Sequence, residues 1–192
     1  MIYTLESGLV KVKEDIKKMN ETKKSVIVGV AGGSGSGKSY FANMLEGRVL
    51  SVDDYYKGGC NMKDNNFDDP DAVDLELLKW QLALLGRDIA VLKPVYNFKN
   101  HSRKGYAKFS PNNIIVVEGL FALNYVIKNS LDIKVFIDSP SKKRLARRII
   151  RDLEERSRTR EEIIKQWNET VEPMYLKHIL PTKDYADIII EN

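Results

Sequence analysis

At 192 residues, with 43% hydrophobic and 30% charged side chains, the chain has the length and balance of one folded domain with a real core. A single cysteine excludes an internal disulfide framework, and one cysteine with two histidines argues against a structural zinc site. The net charge of +4 is mild, no apolar run approaches the ~20 residues that span a bilayer, and Met1-Ile2-Tyr3-Thr4-Leu5-Glu6 lacks a signal-peptide layout. A cytoplasmic location with no membrane partner is therefore expected.

Residues 1–24 are polar and lysine-rich, with a helical pattern over 9–19 and no visible chemistry; they read as a surface element or N-terminal extension. The remainder, 25–192, alternates strands and helices. Residues 26–31 form an apolar run that suits a buried strand, and 40–46 suit a helix. Between them lies Gly-Gly-Ser-Gly-Ser-Gly-Lys-Ser at 32–39, which fits the phosphate-loop pattern G-x-x-x-x-G-K-[ST]. Four of the twelve glycines fall in six residues, so backbone N–H groups can turn inward around an anion. Gly32, Gly33, Ser34, Gly35, Ser36, Gly37, Lys38, Ser39 and Tyr40 are the expected ATP-binding residues. Lys38 is expected to reach the β- and γ-phosphates, and Ser39 to hold Mg²⁺. A flexible Ser/Gly linker does not need Lys-Ser at that offset or a strand in front of it.

A second strand is expected over 48–53, ending at Asp53-Asp54. A helix follows over 71–85, capped by Asp71 or Asp74 and ended by Gly86. Residues 89–96 and 106–109 suit hairpin strands around a polar, basic tip carrying His101. A buried strand over 113–117 ends at Glu118, and another over 133–137 ends at Asp138. A helix over 141–156 with Ser141 as N-cap follows, then helical residues 161–170, a short helix between Pro173 and Pro181, and a last strand over 186–190. The pattern predicts an α/β fold of the P-loop NTPase type: a parallel sheet covered by helices on both faces, with a small β-hairpin lobe at 88–110. Ligands of such sheets bind beyond the strand carboxyl ends, where Gly32, Asp53, Glu118 and Asp138 all fall.

A phosphoryl acceptor needs a carboxylate to take its proton, and Asp53 holds that position. On the helix over 141–156, Arg144, Arg147, Arg148 and Arg151 share one face, opposite Leu145, Ile149, Ile150 and Leu153. This predicts an apolar face on the body and arginines turned outward. Nine Lys/Arg against three Asp/Glu between Lys142 and Arg160 suit a small polyanion such as a triphosphate. The absence of aromatic residues there speaks against single-stranded nucleic acid as a partner. Arg156-Ser157-Arg158-Thr159-Arg160 breaks the helical pattern, as a segment closing over phosphates would.

Together these motifs resemble the uridine/cytidine kinases of the uridine kinase–phosphoribulokinase group, over about residues 26–190. Besides the glycine loop, the likeness rests on Leu-Ser-Val-Asp-Asp-Tyr-Tyr-Lys at 50–57, Asn-Phe-Asp-Asp-Pro-Asp-Ala at 66–72, and Pro-Val-Tyr-Asn-Phe at 94–98 with His-Ser-Arg at 101–103. It continues with Val-Glu-Gly-Leu-Phe-Ala at 117–122, Arg-Leu-Ala-Arg-Arg-Ile-Ile-Arg-Asp at 144–152 and Pro-Thr-Lys-Asp-Tyr-Ala-Asp-Ile-Ile at 181–189. The resemblance implies transfer of the γ-phosphate of ATP to the 5′-hydroxyl of uridine or cytidine, with Mg²⁺. It implies Asp53 as general base and Lys38, Arg151 and Arg156 as catalytic cations, the arginines in a lid over 151–160. It implies nucleoside contacts from Asp68, Tyr96, Phe98, His101, Arg148, Arg158 and Gln166, and a role for Glu118 beside Ser39 in ordering Mg²⁺. It also suggests a homo-oligomer.

Three features depart from the pattern. The link from Ser39 to the second strand is short, closer to nicotinamide riboside kinases. Ser157 stands where glycine is usual. The sequence stops at Glu191-Asn192, where the family continues, so some adenine contacts are expected to be missing. Two rival readings follow: a sister kinase acting on another small hydroxyl such as nicotinamide riboside or pantothenate, and a non-catalytic nucleotide sensor or RNA-binding module.

Overall fold

The computed structural model describes residues 1–58, 66–156 and 158–192; Cys60 and Ser157 lie outside them. Eight strands are present: β1 (Ile2–Thr4), β2 (Val26–Gly32), β3 (Arg48–Ser51), β4 (Val91–Asn97), β5 (Ser102–Phe109), β6 (Ile114–Glu118), β7 (Ile133–Asp138) and β8 (Ile188–Glu191). Six of them make one parallel sheet in the order β1-β8-β7-β2-β6-β3; β4 and β5 pair antiparallel as a separate hairpin. The central strands are apolar on both faces, as a sheet covered on both sides requires: every residue of β2 is buried. On one face, α1 (Leu5–Met19) and α2 (Lys38–Met44) bring Val12, Ile16, Phe41 and Leu45 against Val28, Val30 and Val135. On the other, α3 (Leu75–Leu85) sets Leu78, Leu82 and Leu85 against Ile27, Leu50 and Ile115.

Residues 1–24 are built into this sheet. β1 runs parallel to β8, with Ile2 opposite Ile189 and Thr4 opposite Glu191. Thr4 and Ser7 form a reciprocal cap that starts α1 four residues earlier than the periodicity predicts. Other boundaries move for local reasons. The 48–53 strand ends at Ser51, because Val52–Tyr55 turn into a 3₁₀ helix with the Ser51 hydroxyl accepting from the Asp53 N–H. The helix over 71–85 begins at Leu75, with Asp74 as its cap, while Asp71 sits in the 3₁₀ turn Pro70–Ala72. Ser141 is the first residue of α4 (Ser141–Glu155); Pro140 precedes it without a side-chain cap.

The larger correction concerns the face α4 turns inward. Arg144 and Arg148 are buried, Asp152 has no exposure at all, and Ile150 and Leu153 are 59% and 45% exposed. The helix therefore packs through its arginines, the reverse of the amphipathic expectation. The element it meets is a polar glycine loop whose carbonyls and hydroxyls accept guanidinium donors, so packing against it rewards charge over hydrocarbon. α5 (Arg160–Gln166) starts from a Thr159–Glu162 capping box and runs on through π-helical turns at Trp167–Val171 and Tyr175–Ile179, with Pro173 inside the helical run rather than bounding it. A 3₁₀ helix, Leu180–Tyr185, leads to β8.

Candidate active site

The loop between β2 and α2 stands at the carboxyl edge of the sheet. Gly35 and Gly37 adopt φ of 77° and 96°, and a Cβ on Gly35 would lie 2.3 Å from the Arg144 carbonyl oxygen. Only glycine lets the loop curl this tightly over α4. Arg144 is a strut beneath it. Its Nε donates to the Ser139 carbonyl at 3.0 Å, and its Nη2 donates to both Glu172 carboxylate oxygens at 3.0 and 2.8 Å. Its guanidinium lies 3.9 Å from the Tyr175 ring centre. The Ser36 Oγ is buried with no hydrogen-bond partner among the described residues, an unsatisfied polar atom where a phosphate oxygen would sit.

Beside the loop, the Ser39 hydroxyl donates to Glu118 Oε1 at 3.0 Å, and Lys38 Nζ stands 3.9 Å from the same oxygen. A hydroxyl and a carboxylate brought together at the phosphate end fit Mg²⁺, which takes one or two protein oxygens and completes its shell with phosphates and water.

The two neighbouring carboxylates at 53 and 54 are sharply divided. Asp54 is bound to Lys93 of β4. Asp53 makes no side-chain hydrogen bond or ion pair among the described residues. Burial pushes its carboxyl up from 3.8 to about 6, against the opposing charge of Lys38 and with help from Glu118 and Asp54. A carboxylate left unpaired and poised near neutrality is suited to accept a proton. Asp68 is buried too, and its pKa is raised by that burial while Arg148 and Lys38 oppose the shift.

The arginines of α4 and of the segment after it converge on Asp152. Arg151 donates from Nε to its Oδ1 at 2.9 Å; Arg148, Arg156 and Arg158 approach its oxygens at 3.5, 3.5 and 3.7 Å. Gln166 Oε1 accepts from Arg148 at 2.8 Å and from Arg158 at 2.6 Å, and Arg148 reaches back to Ser34 Oγ at 2.9 Å. One carboxylate faces four guanidiniums, so the cluster retains positive charge next to the phosphate loop. The sequence reading passed over Asp152, although its i−4 and i+4 neighbours, Arg148 and Arg156, are a legible signal.

Near Asp53, whose charge acts on the Tyr56 hydroxyl, stands an aromatic cluster. Tyr56 is the hub, with ring centres 5.3 Å from Phe67, 5.4 Å from Tyr96 and 6.3 Å from Phe98; Tyr96 and Phe98 are 5.0 Å apart, and His101 lies 4.8 Å from Phe67. The Tyr96 hydroxyl is buried with no partner among the described residues, and Phe98 remains 49% exposed. Arg103 ties the hairpin down, donating to the carbonyls of Tyr56 and Tyr55 at 2.9 and 3.1 Å and to Asp74 at 3.2 Å. Tyr56 and Phe67 complete a group of which the sequence reading named only Tyr96, Phe98 and His101. Tyr40, 61% exposed, stands apart from all of these at a cavity on the α2 side of the loop.

This sheet order, with a glycine loop at its carboxyl edge and acidic and basic groups arranged around it, defines a P-loop phosphotransferase. Solved structures agree on the fold: a candidate fructose transport system kinase from Silicibacter sp. TM1040 superimposes with a TM-score of 0.75 at 15% identity, covering 94% of this chain and 98% of that one. A possible uridine kinase from Bacillus stearothermophilus gives 0.61 at 20% identity, covering 94% and 99%. The model of the phosphoribulokinase / uridine kinase family matches residues 49–192, and the chain belongs to that family. Proteins named uridine kinase from Brevibacillus brevis and Macrococcus caseolyticus are 40% and 41% identical to it, over 86% and 87% of this chain and 84% and 88% of theirs.

Proposed function

We propose that this protein phosphorylates the 5′-hydroxyl of uridine or cytidine with ATP as donor, giving the nucleoside monophosphate. The observation that carries the reading is the neighbourhood of Asp53, a carboxylate unpaired among the described residues that feels the charges of Lys38 and Glu118 and acts in turn on Tyr56, the hub of the Phe67–Tyr96–Phe98 cluster. The relatives named uridine kinase support the same acceptor. Phe67, Tyr96 and Phe98 offer ring faces for a pyrimidine, and the Tyr96 hydroxyl and the His101 imidazole hydrogen bonds to its edge. Asp68 holds the ribose hydroxyls. Asp53 receives the proton of the attacking oxygen. Lys38, Arg151 and Arg156 neutralise charge on the phosphoryl oxygens, while Arg148, Arg158 and Gln166 hold the nucleoside side of the same cluster. Ser39 and Glu118 are the residues that would hold Mg²⁺, which when bound supplies charge neutralisation on the phosphates. Among the described residues no helix is long and apolar enough to cross a membrane.

The test is ADP release from Mg²⁺-ATP against uridine, cytidine, nicotinamide riboside and pantothenate. Turnover of uridine or cytidine alone is expected. Turnover of another acceptor would keep the phosphate chemistry and remove the pyrimidine assignment. Tight ATP binding with no turnover of any acceptor would favour a nucleotide sensor.

A further inference from the structure

A triphosphate held by the loop has two ends. Its reacting end faces Asp53 and Glu118. Its nucleoside end must leave the loop elsewhere. One cavity, at Thr22, Arg87, Asp88 and Asp132, lies at the amino ends of the strands, and a smaller one lies beside Asp74. Another, of about 500 Å³, is lined by the loop itself. It is bordered by neither Asp53 nor Glu118, and its walls beyond the loop are Leu5, Arg147, Arg151 and Asn192. Its volume is that of a small-molecule site.

We propose that the start of α1, at Leu5 in the part of the chain to which the sequence assigned no chemistry, helps to wall the subsite for the donor's base. The heteroaromatic ring of the nucleoside triphosphate lies between Leu5, Tyr40 and Arg147. This rests on the kinase reading above, which supplies the triphosphate. Charge and shape agree with it. The lining has Lys38, Arg147 and Arg151 and no Asp or Glu, so the phosphate end is cationic. Leu5 and the exposed Tyr40 ring offer apolar surface at the other end, and a guanidinium plane stacks readily on an aromatic ring.

The walls are also held in place. Arg147 Nη2 donates to Asn192 Oδ1 at 3.2 Å, and its Nη1 lies 3.5 and 3.4 Å from the carbonyls of Gly35 and Ser36. Asn192 Nδ2 donates to the Ser36 carbonyl at 2.7 Å, and its backbone N–H to Asp138 at 2.9 Å. Leu5 opens α1, fixed by the Thr4–Ser7 cap and by β1 in the sheet. Gly8 lets α1 lie directly on β8, since a Cβ there would come within 2.7 Å of Ile190 Cγ1.

The experiment measures binding of ATP and of inorganic tripolyphosphate, which lacks a base, to wild type, Leu5→Asp and Tyr40→Ala in the presence of Mg²⁺. Tyr40 is exposed, so its variant folds even if Leu5→Asp does not. Each folded variant is expected to weaken ATP roughly 5- to 100-fold, the range for loss of a stacked base, and to leave tripolyphosphate unchanged. Equal weakening of both ligands, or no change in either, would overturn the proposal. Wild type that binds neither ligand would overturn it together with the kinase reading. Wild type that binds ATP but turns over no nucleoside would overturn the acceptor assignment alone, while the ATP-to-tripolyphosphate comparison still decides the base subsite.

Discussion

The phosphate half and the acceptor half of this site are built by opposite means. The phosphate half is a loop pinned between sheet and helix, over a buried arginine with a bidentate carboxylate and two aromatic faces. The acceptor half lies on a hairpin outside the main sheet, with Phe98 half exposed and His101 in a left-handed backbone conformation at φ 52°. A phosphate chain is the same in every donor, so its seat gains from rigidity. A base must be distinguished from others, and discrimination falls to side chains on a separate element that can vary without disturbing the sheet.

The contrast is sharpest in what a single change should do. Asp53→Asn is expected to fold, to bind ATP and to lose about 10²–10⁴-fold in kcat; near-normal turnover would remove the general-base assignment. In the phosphate half, Arg144→Met strands Glu172 beside a cavity and is expected to cost about 3–5 kcal/mol of stability by urea denaturation. A loss below about 1 kcal/mol would mean that the loop does not lean on this strut. Asp152→Asn releases four guanidiniums from their shared anchor, and a fall in kcat of roughly 10-fold or more is expected from misplaced charge at the transferred phosphoryl group, with uridine KM moving less. An effect on uridine KM alone would assign Asp152 to the acceptor half. His101→Ala should raise the pyrimidine KM about 5- to 100-fold, the worth of one hydrogen bond, with ATP KM unmoved. An unchanged pyrimidine KM would place base recognition elsewhere in the cluster.

The smallest effect is one of pH. The Asp53 carboxyl titrates near 6 in the folded protein against 3.8 for an unperturbed group. The native state therefore binds this proton more tightly than the unfolded chain, and the contribution of Asp53 to stability improves as pH falls from about 6 towards 3.8. Activity should fall over the same range, because the base must be ionised. Replacing Asp53 by Asn should thus stabilise the protein more at pH 7 than at pH 5, in thermal melts of the two proteins side by side. A difference independent of pH would show that the Asp53 carboxyl keeps its ordinary pKa in the folded protein.

Much of the phosphate half is legible because its signals are local. Glycine spacing, Lys38-Ser39 and a preceding apolar strand are contiguous in sequence, and Asp53 and Glu118 fall at strand ends that the apolar runs mark. The α4 face is not legible, since an amphipathic pattern shows only that two faces differ. Which face is inside depends on what it meets, and here it meets carbonyls and hydroxyls of a loop over a hundred residues away in sequence (Arg148 to Ser34). β1 escapes detection for another reason: three residues are too few to show a period of two. Tyr56 and Phe67 are ordinary aromatics in sequence, and gain meaning only where the hairpin brings Tyr96 and His101 to them.

The pairing of β1 with β8 bears on the order of assembly. Ile2 pairs with Ile189, so this edge of the sheet can close only after the whole stretch between them has been made. Until then the apolar stripe of α1, with Val12 and Ile16, has only part of its cover. Closing the sheet at this edge is a contact of long sequence separation, a step that slows folding and leaves apolar surface open meanwhile. If the first helix also completes the donor site, nucleotide binding becomes a reporter of this slow step in folding.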